Sequence, residues 1–271
     1  MTPMHRVLFK LFGLTIYSYG VMLILAFFVG VWIARRRAAK YCIEPDKVWD
    51  VAFWMLIGGV LGARILFILQ DLPYFLQHRD QLWTLRFEGL TSFGGVIGGL
   101  LALLVWCLVV KVSALRLLEV IAPCFLVGHA IGRVGCLLNG CCYGGACSLP
   151  WAITVFDASG KALPGHYHPA QIYDSLFNLV ALALVLWWER RKPALGQVMS
   201  LTLVLHGAAR FIYEFWRAGT TSDFYDGMHL TDAQLAAGAV SVVGILLFAW
   251  FGIRRARSQA GRSPASSPSK V

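Results

Sequence analysis

Apolar residues run along this chain in long blocks rather than alternating or recurring every third or fourth position. Seven blocks stand out, at 14–34, 49–70, 93–110, 117–138, 171–188, 197–214 and 236–253. Each is close to the roughly twenty residues that a helix needs to cross a bilayer core of about 30 Å. In lipid every backbone amide must bond within its own segment, so continuous helices are the default solution. The pattern predicts an all-α integral membrane protein, with seven transmembrane helices within 1–253. A basic, Ser/Pro-rich stretch at 254–271 reads as a disordered tail. The first block reads as a span rather than a cleaved leader. It is too long, it ends in Arg35-Arg36-Arg37, and no small-residue cleavage site follows.

Composition agrees. The 271 residues are 58% hydrophobic and 14% charged, whereas a soluble domain runs at about 45–50% and about 25%. This excludes a secreted enzyme, a Rossmann dehydrogenase and a nucleic-acid-binding module, and no nucleic acid partner is expected. The net charge of +10 is then a matter of topology. Fifteen Lys and Arg fall in 35–48, in the turns after the third and fifth blocks, and in the tail. Six fall on the other side: Arg6, Lys10, Arg79, Arg86, Lys161 and Arg217. Excess positive charge marks the cytoplasmic face, so the N-terminus is expected outside and the C-terminus in the cytoplasm. No internal repeat points to an inverted-repeat transporter.

The three remaining basic residues, Arg64, Arg133 and Arg210, lie inside apolar blocks. Counting 1.5 Å per residue from the cytoplasmic ends puts all three at roughly 21–24 Å, one stratum near the outer headgroups. A charge there costs at least about 2.5–3.5 kcal/mol on insertion scales, so such residues usually face an interior and mark a site. Each could instead snorkel or pair with a structural acid, and Glu214, four residues after Arg210, is the obvious partner. Guanidinium binds phosphate bidentately, and phosphate at that depth belongs to a phospholipid headgroup. His206, Arg210 and Glu214 share a helix face beside Tyr213, and His129 shares one with Arg133. Gly94-Gly95, Gly98-Gly99, Gly58 and Gly62 read as packing glycines that let helices approach closely. Gly128, Gly132 and Gly135 punctuate the helix that carries Arg133.

Residues 132–144 read Gly-Arg-Val-Gly-Cys-Leu-Leu-Asn-Gly-Cys-Cys-Tyr-Gly. This resembles the Gly-Arg-x-Gly-Asn-Phe-x-Asn-x-Glu-x-x-Gly signature of the bacterial prolipoprotein diacylglyceryl transferases. Tyr19-Gly20, Gly62-Ala63-Arg64, Gly89 to Gly95, His168 to Asp174 and Gly207 to Arg217 are similar to further blocks of that family, in order. The resemblance implies a multi-pass enzyme of the bacterial inner membrane. It would move the diacylglyceryl group of phosphatidylglycerol onto the lipobox cysteine thiol behind a prolipoprotein signal peptide, releasing glycerol phosphate. It also implies roles in activity or lipid binding for Arg133, Asn139, Gly144, Arg210, Tyr19 and Glu214. Arg64 is expected to bind lipid from its depth, and Arg133 and Arg210 are expected to stabilise the departing phosphate. The chain departs from the signature at Cys136 and Cys141, where the family has Asn and Glu. The histidine that the family places before the paired glycines falls on Phe93, and His206 stands where it has a tyrosine.

The reaction needs a thiolate, and a cysteine of pKa near 8.5 is mostly protonated at neutral pH. A neutral histidine is the natural base: His206, His168 and His129 are candidates, in that order, unless the arginines alone lower the thiol's pKa. No cofactor is expected. Cys136, Cys141, Cys142 and Cys147 crowd into twelve residues. An oxidising periplasm favours a disulfide from Cys147 to Cys141 or Cys142, with inert thiols and a metal site the other readings. The spacings of five, one and five depart from the C-x-x-C zinc pattern, so no metal is expected. Two other functions compete: a phospholipid transporter or flippase, and a redox or metal-binding membrane protein.

Overall fold

The computed structural model describes residues 7–11, 14–78, 91–157, 160–217 and 230–260. Arg6, Arg79, Arg86, Gly89, Leu90 and the tail from 261 onward, with Arg262 and Lys270, lie outside them. Two short antiparallel strands, β1 (Val7–Leu11) and β2 (Leu14–Tyr17), open the chain. Helices follow: α1 (Ser18–Ala38), α2 (Pro45–Gln70), the short α3 (Leu72–Gln77), α4 (Ser92–Val110) and α5 (Ala114–Asn139). Then come α6 (Ala170–Glu189), α7 (Gln197–Tyr213) and α8 (Asp232–Ala260).

Among the described residues six helices are long and apolar enough to cross a membrane: Ser18–Tyr41, Pro45–Gln70, Phe93–Val110, Ala114–Asn139, Ala170–Glu189 and Asp232–Ala260. The chain is a multi-pass, essentially all-helical membrane protein. The seventh expected block is α7, a helix of 17 residues that carries the polar face of His206 and Arg210. Most helix ends shift by one to four residues from the sequence reading, and two shifts change the picture. The first helix begins at Ser18 rather than 14, because Leu14–Tyr17 pair as a strand with Val7–Leu11. The last helix continues to Ala260, past the boundary drawn at 253.

The chain divides into two compact units, Val31–Leu117 and the combination of Met1–Gly30 with Leu118–Val271. In the first, α2 and α4 pack along the stripe of small residues that the sequence singled out. A Cβ on Gly62 would stand 2.7 Å from the Gly98 Cα, and one on Gly58 would stand 2.7 Å from the Gly98 carbonyl oxygen. Backbone-to-backbone approach of this kind is how helices gain van der Waals contact without a hydrophobic driving force. Thr91 closes the top of the pair, its N–H and its hydroxyl both donating to the Ala63 carbonyl.

In the second unit α1 lies on α5, where Gly135 faces Met22 and Tyr19. Leu126, Ala181, Val185 and Val198 form an apolar core shared by α5, α6 and α7. The buried Glu119 carboxylate of α5 accepts the Met199 N–H at 2.9 Å and faces the Gly196 and Val198 N–H groups. A carboxylate at these orphan donors caps α7 and complements its dipole. On its other side α7 meets α8, with Gly207 against Ala237 and Ser241, and Gly244 against Ser200 and Val204.

Gly98→Leu should force α2 and α4 apart and cost about 1–3 kcal/mol of stability. Gly30→Ala, where nothing lies within 4 Å, should be neutral or slightly stabilising. Thermal melts of the two variants in detergent check this. Equal melting temperatures would mean that the glycine stripe does not hold the pair.

Candidate functional site

Ahead of its last residue, Glu189, the polar positions of helix α6 are Gln171, Asp174, Ser175 and Asn178, with the phenol of Tyr173; the four are spaced i, i+3, i+4, i+7 near its start. That spacing puts all four on one face, and all four are buried. Asp174, fully buried, gathers Arg133, His129 and Asn178 around its carboxylate. Its Oδ2 lies 2.6 Å from the Arg133 Nε and 3.1 Å from the His129 Nε2, and the Arg133 Nε–H donates to the His129 Nε2 at 3.3 Å. The Asp174 Oδ1 accepts from the Asn178 Nδ2 at 2.8 Å. The Asn178 amide oxygen in turn accepts from the His206 Nδ1 at 2.8 Å. His206 therefore carries its proton on Nδ1 and keeps the Nε2 lone pair, with its ring edge-on to those of His129 and Phe125.

The C-terminal halves of α5 and α7 thus meet the N-terminal half of α6. Arg133 and Arg210 both stand over the ring of the fully buried Tyr213, with guanidinium carbons 5.2 Å and 4.9 Å from its centroid. Both distances lie within cation–π range, so the two carbons are at most about 10 Å apart. Arg210 donates to Glu214, and Arg217 lies 3.7 Å from the same carboxylate. Arg133, Arg210 and Arg217 set against Asp174 and Glu214 leave one net positive charge. The ion pairs occupy Nε of Arg133 and Nη1 of Arg210; the rest of each guanidinium fork can serve an anion.

Two of the three arginines placed in one stratum by counting are therefore brought together. Arg64 belongs to the other unit, where its guanidinium lies over Phe67 and Phe75. The acid-pairing reading also holds, since Arg210 bonds the Glu214 carboxylate that the spacing suggested. Pairing and convergence coexist because each carboxylate takes only part of its guanidinium.

The chain leaves α5 through Gly140 and Cys142, both at positive φ, 73° and 63°. This tight reversal turns residues 141 and 142 back on the last helical turn, where Cys141 N–H donates to the Cys136 carbonyl. Buried side chains of the neighbouring helices pin the reversal. The Gln171 Nε2 donates to the Cys141 carbonyl at 2.7 Å, and the Tyr213 hydroxyl donates to the Cys142 carbonyl at 3.4 Å. Asn139 stands beside Cys141. Gly144 is wedged between the Trp216 carbonyl and His168, where no Cβ fits. Its N–H donates to His168. Tyr19 covers Gly135, one residue before Cys136.

All seven cysteines are free thiols, so the expected disulfide from Cys147 is not formed. Cys147 points its N–H at the His166 carbonyl, in a bridged segment remote in bonding from the reversal. The sulfurs of Cys136, Cys141 and Cys142 lie within 4.8 Å of one another. The adjoining Cys136 and Cys141 thiols, and then the charges of Arg133 and Arg217, hold the Cys142 thiol well below the ordinary cysteine range.

His168 is engaged through one ring nitrogen. Trp151 donates its indole N–H to the Tyr173 oxygen at 2.8 Å, and that oxygen lies 3.3 Å from the His168 Nδ1. Asp174, Asn178 and Gln171 were not among the site residues expected from sequence. Their polar i, i+3, i+4, i+7 stripe on an apolar helix is the signal that finds them.

A profile of the family described as prolipoprotein diacylglyceryl transferase matches residues 6–250. A protein of Clostridium tetani named phosphatidylglycerol–prolipoprotein diacylglyceryl transferase is 31% identical over 245 residues, covering 90% of this chain and 97% of its own. Proteins of the same name from Finegoldia magna and Symbiobacterium thermophilum are 31% and 32% identical over 90% of this chain, covering 94% and 92% of theirs.

Asp174→Ala would strand the Arg133 charge in a buried setting, and removing one partner of such a pair costs about 3–5 kcal/mol. Unfolding of the detergent-solubilised variant checks this. A loss below about 1 kcal/mol would show that Arg133 does not depend on Asp174.

Proposed function

This chain belongs to the prolipoprotein diacylglyceryl transferase family, and from that premise we propose that it transfers the diacylglyceryl group of phosphatidylglycerol to prolipoproteins. The acceptor is the lipobox cysteine thiol that follows the signal peptide, and glycerol phosphate is released. The family decides for a transferase over a transporter or a redox protein. The enzyme works in the inner membrane of a bacterium, with seven spans. α7, at 17 residues, stands at the short end of the spanning range, and the excess of basic residues puts the C-terminus in the cytoplasm.

The observation that carries the reading is the pair of guanidiniums over Tyr213, in a site where Arg217 brings the balance to one net positive charge. The thiol sulfur attacks the glycerol carbon that bears the phosphate, the carbon–oxygen bond breaks, and its electron pair stays on the phosphate. Charge therefore builds on the leaving group. Donors already fixed where charge develops count most in a site shielded from water. Arg133 is fixed by Asp174 and Arg210 by Glu214, and each keeps donors for the phosphate oxygens. Arg133 and Arg210 are accordingly assigned the catalytic role. Tyr19, Asn139, Gly144 and Glu214, which line or support the same end of α5 and α7, are assigned to the lipid. The assignment of Arg64 to the headgroup rests on the sequence pattern alone. Of the candidate bases His206 is preferred to His168, because the Asn178 bond ties it to the Arg133–Asp174 pair and does not take up its Nε2 lone pair.

Purified protein in phosphatidylglycerol vesicles should lipidate a lipobox peptide, and the gene should replace a bacterium's own transferase. Arg210→Lys and Arg133→Lys should each lower the rate at least about tenfold, because lysine offers a point charge in place of a bidentate fork. Normal rates in both variants would refute phosphate recognition by these groups. Near-normal transfer by His206→Ala would remove the histidine base.

A further inference from the structure

The three thiols at the reversal after α5 have a geometry that the phosphate site does not use. Cys136 sits on the last turn of α5, and Gly140 and Cys142 at positive φ bring Cys141 and Cys142 back toward it. The three sulfurs fall within 4.8 Å of one another. Three corners of a tetrahedron of zinc–sulfur bonds of about 2.3 Å stand about 3.8 Å apart. The cluster therefore needs contraction of about an ångström or less to close on a metal ion.

Its backbone is already fixed. Gln171 and Tyr213, both fully buried, hold the Cys141 and Cys142 carbonyls from α6 and α7. Such support from neighbouring groups is what keeps ligands in a metal-binding geometry. The charge balance also fits. Three thiolates around Zn2+ carry one net negative charge, and the positive charges of Arg133 and Arg217 act directly on Cys142. The fourth cysteine of the stretch, Cys147, takes no part.

We propose that Cys136, Cys141 and Cys142 bind Zn2+ through three sulfurs, leaving a fourth position for the acceptor cysteine of the lipobox. The second half of this inference rests on the transferase reading above. A thiol that coordinates zinc is deprotonated outright, which supplies the thiolate that the reaction requires. The acceptor S–H loses its proton to solvent as its sulfur binds. The bound sulfur then forms its bond to the glycerol carbon as the carbon–oxygen bond breaks, with that electron pair leaving on glycerol phosphate. The product is a neutral thioether, a weak ligand, so it departs and the fourth position reopens. No electron is gained or lost by the metal or the protein.

The full chain, stripped of metal in detergent, is titrated with Zn2+, and with Co2+ as an optical reporter. One ion should bind per chain. Cys136→Ser, Cys141→Ser and Cys142→Ser should each weaken binding at least about tenfold, while Cys147→Ser binds normally. A readout that needs no variant is alkylation of the wild type, in which Zn2+ should protect Cys136, Cys141 and Cys142 and leave Cys147 reactive. A lipobox peptide should change the cobalt–thiolate absorption, and its Cys→Ser counterpart should not. Stripping metal should lower transfer in phosphatidylglycerol vesicles at least about tenfold, with recovery on adding Zn2+. Absence of saturable one-to-one binding, or full transfer by the metal-free chain, overturns the proposal and leaves the transferase reading standing. Stoichiometric zinc without any transfer overturns the transferase reading and leaves the metal site.

Discussion

The bond between Arg133 and Asp174 is the constraint on which the rest of the site depends. A guanidinium in the middle of an apolar helix is costly, and a carboxylate buried to zero exposure costs as much unless it is paired and hydrogen-bonded. Each makes the other tolerable. Asp174 is further satisfied by His129 and Asn178, so its oxygens leave no partial vacancy. The pair then fixes α5 to α6 at one level, and Asn178 hands the alignment on to His206 of α7.

From this level outward the structure builds a positive site with few moving parts. Tyr213 receives both guanidiniums over its ring and holds the Cys142 carbonyl with its hydroxyl. Glu214 ties Arg210 and Arg217 together. The helices that present these groups are themselves fixed at the other end, where Glu119 caps α7. Preorganisation matters because transition-state charge gains most from dipoles and charges that need not reorient. On the function proposed above, a phosphate leaving group would meet the surplus charge, and the acceptor thiol would meet the sulfur cluster just beyond it.

Two of this chain's departures from the family signature fall at the reversal after α5. Cys136 and Cys141 replace residues of another chemistry, and with Cys142 they form a compact sulfur triangle. Phe93, where the signature has a histidine, is largely exposed at the start of α4. Zinc at that triangle would activate the acceptor thiol in addition to the His206 base proposed above. The scaffold needs no change for that, since Gln171 and Tyr213 hold the backbone rather than the side chains of the reversal.

The membrane class, the helical spans and the polar residues of α7 were legible in the sequence, because lipid imposes a length and an apolarity that any chain must show locally. The closeness of Glu214 to Arg210 was equally legible, being one helical turn. The glycine stripes of α2 and α4 announced a close packing, though not which pair would meet. The tertiary structure alone decided that Arg133 takes Asp174, forty-one positions on, and that Arg133 and Arg210 share one aromatic ring. It alone turned a cysteine spacing unlike any common zinc pattern into three adjoining sulfurs, and left Cys147, the expected disulfide partner, aside. Spacing along a chain predicts neighbours only while the backbone repeats, and at Gly140 and Cys142 it reverses through positive φ.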